Sequence, residues 1–259
     1  MASRPRRSQL PSPQVRAFRN ALDVALNEID NEGRIIGNAK FGVYAFYDFD
    51  GEPIYVGQTN ELSRTRIRRH LTNQRTDAVA MRVLDIFEVA SVRMWPLWEL
   101  QGASKEDAKL RLDQVEYSAY VDAIRTSQFK AILNEKIPPV TMVADLPSSY
   151  SFELVERRPE DERWHADVRI ARRAETIARL AAVARERGEV SDGLRRVLVI
   201  QAVRLTYLAA ARYAESQGEA PPDPGAIDVP ELVGTLLAED PDDVDEEELE
   251  REELDGSDA

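Results

Sequence analysis

Ten residues separate the triplet Gly42-Val43-Tyr44 from the triplet Tyr55-Val56-Gly57, and an arginine-rich run, Arg66-Ile67-Arg68-Arg69-His70, follows the second. One short stretch thus supplies two phenols, a permanently charged guanidinium and an imidazole. These are parts that a phosphodiester-cleaving site can use. An ionised phenol accepts a proton, and an arginine meets a phosphate with two parallel hydrogen bonds. A tyrosine has a reference pKa of about 10, so it serves as a base near neutrality only where cations lower that value. Arg66 and His70 stand one helical turn apart and share a face. A fifth group lies far downstream. Glu116 interrupts an apolar helical stripe between Val115 and Ala119, where a carboxylate is costly unless it meets a cation or a cleft. That makes it a candidate ligand.

The elements that must position these groups follow from local patterns. Phe41, Val43, Ala45 and Tyr47 alternate with Gly42, Tyr44 and Phe46, which predicts a strand with aromatic groups on both faces. Asp48-Phe49-Asp50-Gly51-Glu52 reads as a turn in which Gly51 supplies an easy positive φ. Pro53 fits only the first residue or the edge of a strand, so Ile54 to Thr59 is the returning strand. Asn60 or Ser63 is expected to cap the next helix, bringing its N-terminal amides and arginines to the same neighbourhood. Phe87 to Leu97 gives a third strand. Ser104-Lys105-Glu106-Asp107, close to a capping box, opens the helix that carries Leu112, Val115, Glu116 and Ala119. Which tyrosine faces the site depends on strand register, since a slip of one residue reverses the faces.

Around this α/β portion, placed at 38–145, the chain has three further parts. Residues 1–37 hold a basic arm and an N-terminal helix starting near Pro13 and stopped by Asn31-Glu32-Gly33. Residues 159–217 read as a helical hairpin broken at Gly188. Its second helix is apolar on more than one face and is expected to be buried within the subunit or against a second copy. The hairpin is expected to be structural or an oligomer contact; its Arg169, Arg172, Arg173 and Arg179 offer nucleic-acid contact as a second reading, with acids interleaved, and His165 reads as a helix-surface residue. Residues 218–259 form a Pro-rich linker and an acidic tail, expected to be disordered. One role for that tail is to compete with DNA for the basic cleft.

The formal net charge of −13 belongs to the tail. Glu239 to Ala259 holds thirteen Asp and Glu and one Arg, leaving 33 Lys and Arg against 34 Asp and Glu elsewhere. The acidic balance therefore does not exclude a nucleic-acid partner, because a local basic patch is what binds phosphate. Ser63 to Thr76 holds five arginines and no acid. The absence of cysteine excludes disulfides, thiolate nucleophiles and Cys-ligated zinc. With only His70 and His165, a multi-histidine metal centre would need two subunits. No apolar run reaches the length of about 18 residues that spans a bilayer. The N-terminus lacks the apolar region of a secretory signal. A cytoplasmic protein with no membrane partner is expected.

In order and in type, these motifs resemble the GIY-YIG nuclease superfamily over roughly residues 41–136. Gly42-Val43-Tyr44 and Tyr55-Val56-Gly57-Gln58-Thr59 stand as its first two elements, with Val in place of Ile in both triplets. Arg66 to His70 is similar to its Arg-aliphatic-x-x-His element, Glu116 to its helical metal-binding Glu, and Asn134 to its late Asn. One extra residue before Arg66 lets Arg64 compete for the place of the catalytic arginine. The resemblance implies an α+β fold, a small antiparallel sheet flanked by helices. It implies a DNA endonuclease that binds one Mg2+ (or Mn2+) through Glu116, with waters filling most of the octahedron. Tyr44, Tyr55, Arg66, His70 and Glu116 would be catalytic, with either tyrosine as the general base. Gly57, Thr59, Arg64, Arg68, Arg69 and Asn134 would lie at the substrate, Asn134 equally as a structural cap. Two alternatives stay open: a module that binds nucleic acid without cutting, and an RNA-directed nuclease, because the phosphate chemistry is shared. Cutting both strands needs two sites, so a homodimer through the hairpin is expected.

Overall fold

Strands β1 (Gly42–Tyr47) and β2 (Pro53–Thr59) pair as a hairpin, closed by a turn that Asp48 organises. The Asp48 carboxylate accepts from the Asp50 and Glu52 amides at 2.9 and 3.1 Å, and Gly51 takes a φ of 74°. Strand β3 (Ser91–Pro96) adds to the other side of β1, and β4 (Tyr150–Glu153) to β3. The result is a four-stranded antiparallel sheet in the order β2-β1-β3-β4, so β2 is an edge strand. The fold is α+β, as the resemblance implied. A computed structural model describes residues 12–72, 85–156, 161–188 and 190–238. The basic arm before residue 12, Arg75 and the acidic tail lie outside the described residues.

Helix α1 (Pro13–Asn27) is capped by Ser12, α2 is Ser63–Leu71, and α3 (Lys105–Thr126) starts on the Ser104 cap. The hairpin consists of α4 (Ala166–Arg187) and α5 (Asp192–Gln217), parted by Gly188 at a φ of 72°, and a short α6 (Val229–Val233) follows. Four local expectations need correction. Helix α1 ends at Asn27, because the Asp30 carboxylate takes the Glu32 and Arg34 amides into a separate turn that includes Gly33. Neither Asn60 nor Ser63 caps α2; Leu62 is its cap, and the Ser63 hydroxyl donates to Ala39 O at 3.0 Å. The third strand begins at Ser91, after a 3₁₀ turn at Ile86–Glu88. Strand β4 lies beyond residue 145, where the α/β portion was expected to end.

The two faces of the sheet carry different layers. Tyr44, Phe46, Val92 and Met94 share a cluster with Phe18 and Leu22 of α1, Ile67 and Leu71 of α2, and Leu180, Val197 and Ile200 of the hairpin. Val43, Ala45, Val56 and Trp95 pack on Leu112, Val115, Ala119 and Tyr120 of α3. The N-terminal helix and the hairpin therefore complete one core with the sheet. The boundaries drawn from composition do not mark separate cores.

Buried charge joins the hairpin to the β1–β2 turn. Arg204, 0% exposed, donates to Asp48 at 2.8 Å; Arg173 donates to Glu88 at 2.8 Å, and Arg169 pairs with Asp50 at 2.6 Å. Arg172 pairs with Asp85 at 2.9 Å and Arg179 with Glu175. The hairpin arginines are thus engaged in intramolecular ion pairs, in keeping with a structural role for the hairpin. Helix α5 is long and apolar enough to cross a membrane by length and composition, although no such run was expected. Its Leu194, Val197, Ile200 and Val203 are buried in the protein, and Arg204 sits among them. One stripe of that helix is thereby buried inside the subunit. After α6 the chain crosses α3, where Tyr120 and Tyr117 donate to the carbonyls of Leu236 and Leu237 at 2.8 and 2.9 Å.

Candidate active site

Register places both tyrosines on one face. Tyr44 lies opposite Gly57, and Phe46 opposite Tyr55, so Tyr44, Phe46, Tyr55 and Gly57 project together. The two phenols fold over Gly57. A Cβ there would stand 3.0 Å from each hydroxyl oxygen and 2.8 Å from Tyr55 Cε1. Glycine is required at this point because the strand backbone is where both phenol tips converge. Tyr44 is 1% exposed, whereas Tyr55 is half-buried.

Helix α2 lays Arg66 and His70 over the same face. The His70 ring centre lies 5.1 Å from that of Tyr55 and 5.9 Å from that of Tyr44. Burial works against the Arg66 charge, but the neighbouring Tyr44, Tyr55 and Glu61 outweigh it and raise the guanidinium's pKa. Arg66 Nε is a buried donor with no acceptor among the described residues. A phosphate oxygen is the kind of group that would satisfy it.

Glu116 arrives from the opposite layer. Helix α3 packs on the Val43 face, but the Glu116 carboxylate reaches the outer edge of β2 and accepts from the Gln58 backbone N–H and carboxamide. The rest of that edge is covered as well. Leu133 N donates to Ile54 O at 2.8 Å, and the Asn134 carboxamide accepts from Val56 N at 3.0 Å and donates to Val56 O at 2.8 Å. Glu116 is 8% exposed. Burial first, then the charge of Asp113, push its pKa up to about 8, while Gln58 and the charge of Arg66 pull the other way. The carboxylate therefore senses the guanidinium around the sheet edge.

The remaining candidates are placed differently. Arg64 donates to Leu26 O at 3.3 Å and to Asn27 at 3.2 Å, Arg68 pairs with Asp23 at 2.8 Å, and Arg69 pairs with Glu61. The Thr59 hydroxyl turns the chain after β2, donating to Glu61 O at 2.9 Å and accepting from Glu61 N at 3.1 Å. Asn134 spends both ends of its carboxamide on Val56. His165 caps α4, its Nδ1 accepting from Asp167 N at 3.2 Å. Tyr44, Tyr55, Arg66 and His70 thus come together on one face, and Glu116 lies within electrostatic reach of Arg66 from the other.

Pattern reasoning missed Gln58 and Asp113. Gln58 Nε2 donates to Asp113 Oδ1 at 2.9 Å, across 55 residues of sequence. One signal was available: Asp113 lies one helical turn before Glu116, on the same stripe.

Among the described residues no group of three or more His, Asp or Glu is arranged to hold a metal ion. A hard cation that keeps most of its waters needs no such group. The buried Glu116, whose ionisation is opposed by burial and by Asp113, is an anion that a cation would stabilise.

The family model of the GIY-YIG catalytic domain matches residues 40–114. That span takes in Tyr44, Tyr55, Arg66 and His70 and ends just before Glu116. No curated protein and no solved structure matches the chain.

Proposed function

The match over residues 40–114 supports membership of the GIY-YIG nuclease superfamily and a nuclease-type function, and on that premise we propose that the chain is a divalent-metal-dependent DNA endonuclease. The observation that carries this reading is the placement of five groups by four elements. Two phenols from β1 and β2 and a guanidinium and an imidazole from α2 meet over Gly57, and a carboxylate from α3 lies at the outer edge of β2 within electrostatic reach of the guanidinium.

A phosphodiester resists hydrolysis because its negative charge repels hydroxide and its leaving alkoxide is poor. Arg66 neutralises the charge that builds on the phosphate, using the buried Nε that lacks a protein acceptor. Tyr44 is the proposed base. The guanidinium of Arg66 stands beside it, and a neighbouring cation favours the phenolate. Tyr55, the more exposed phenol, and His70 hold the attacking water and the phosphate against Tyr44. Glu116 would hold Mg2+ or Mn2+ through its carboxylate. Such a cation, when bound, stabilises the departing 3′ oxygen and polarises a non-bridging one. Gly57 keeps the strand low enough for both phenols to reach the site.

Plasmid nicking tests the reading. Relaxation of supercoiled DNA in Mg2+ should vanish in EDTA and in Glu116→Ala. Nicking that survives both changes would overturn it. Binding without nicking by the intact chain would favour the non-catalytic alternative. A parallel RNA substrate decides which nucleic acid is cut.

A further inference from the structure

We propose that Asp113 is a positioning residue for the cation site, acting on Glu116 through the carboxamide of Gln58. The inference rests on the proposed role of Glu116 as cation ligand. Glu116 takes two donors from this one residue, its backbone N–H and its side-chain amide. The side-chain amide also donates to Asp113 Oδ1 at 2.9 Å. The NH2 group that is bonded to Asp113 thus also acts on Glu116, and it has a hydrogen available for each carboxylate.

The other end of that carboxamide gives the second observation. Gln58 Oε1 is buried and accepts no hydrogen bond among the described residues. A buried carbonyl without a donor opposes this orientation and favours rotating the amide by a half-turn. Two carboxylates facing the NH2 group supply the opposing preference, because rotation would turn Oε1 toward both. Asp113 keeps the amide nitrogen aimed when Glu116 turns its lone pairs to a cation. Asp113 and Glu116 stand three residues apart on α3, so the helix fixes their spacing, while Gln58 ties both to the edge of β2. Outer groups that orient a ligand in this way typically change metal affinity by about 10–100-fold when removed.

The test reads the cation directly, on the full chain without nucleic acid. The chain has two histidines, so Mn2+ broadening of the His70 imidazole resonances can be followed against His165 as an internal reference. Binding of Mn2+ elsewhere on the chain does not reproduce a selective effect at His70. Wild type should show selective broadening, and Glu116→Ala should lose it. Asp113→Ala and Gln58→Ala should each need about tenfold more Mn2+, and the double variant no more than either alone. Asp113→Asn keeps an acceptor for the Gln58 amide and should stay within about threefold of wild type. It also guards against misfolding of the alanine variant, because its shape is unchanged.

Asp113→Ala that broadens like wild type, while Glu116→Ala does not broaden, would overturn this inference alone. Asp113→Asn as weak as Asp113→Ala would assign the effect to charge and overturn positioning. Glu116→Ala that broadens like wild type would overturn the cation site itself, and this inference with it.

Discussion

Glu116 must be ionised to hold a cation, yet burial and Asp113 lift its pKa to about 8 from an ordinary 4.5. Cation binding should therefore release a proton, and the Mn2+ requirement should fall as pH rises from 6 to 9. The same shift bears on stability. The folded-state pKa lies above the unfolded one, so the contribution is whole below pH 4.5 and is lost as pH rises through about 8. In EDTA, wild type should lose stability relative to Glu116→Gln between pH 5 and pH 9, by a few kcal/mol as an order of magnitude. Urea unfolding at the two pH values reads this; parallel behaviour of the two proteins would refute it. Tyr44→Phe should lower kcat by about 10²–10⁴ with little change in melting temperature, and Tyr55→Phe by less. A larger loss in Tyr55→Phe would transfer the base role to the exposed phenol. The principal residues were legible because their types and order carry the chemistry. Gln58 and Asp113 were not, because a glutamine and a surface-like aspartate acquire meaning only when an edge strand meets a helix.

At the scale of elements, the hairpin was legible because alternation, Gly51 and Pro53 are local signals. Strand β4 was not, since four residues with every second side chain exposed give too short a pattern to read. The covering of the β2 edge was equally hidden. The Asn134 carboxamide imitates a strand's own peptide group, accepting and donating at one residue, Val56. Such an edge left bare presents unpaired backbone groups. Asn134→Ala should remove both bonds and destabilise the chain by about 2–4 kcal/mol, reading each buried backbone group as about 1–2 kcal/mol. Asn134→Asp keeps the shape but loses the donor and should be no better. Chemical denaturation measures both. Wild-type stability in Asn134→Ala, with lost nicking, would move Asn134 from support of the strand to contact with the substrate.

For the whole molecule, the buried charges explain why the helical hairpin is not a detachable appendage. Arg204 is enclosed with Asp48 at 2.8 Å and Arg173 at the same acid at 3.4 Å, so the β1–β2 turn and the hairpin share one electrostatic cluster. Removing one member leaves its partner buried and uncompensated. Arg204→Ala should destabilise by about 3–5 kcal/mol. The sheet and the hairpin should melt together in one transition by fluorescence and by circular dichroism. Two separated transitions would refute the shared core. Composition hid this coupling, because arginine interleaved with acid on a helix has the same pattern whether its partners are solvent or a neighbouring turn.

Tyr117 and Tyr120 hold the carbonyls of Leu237 and Leu236 against the helix that bears Glu116. Thirteen acidic residues follow from Glu239 onward. They begin two residues beyond that anchor, so any competition of this stretch with DNA is intramolecular. Dilution leaves such self-competition untouched, and added salt relieves it. A chain truncated after residue 238 should bind nonspecific DNA more tightly at low ionic strength, with the gap closing as salt rises. The same acidic peptide supplied in trans should restore the difference only at concentrations far above that of the protein.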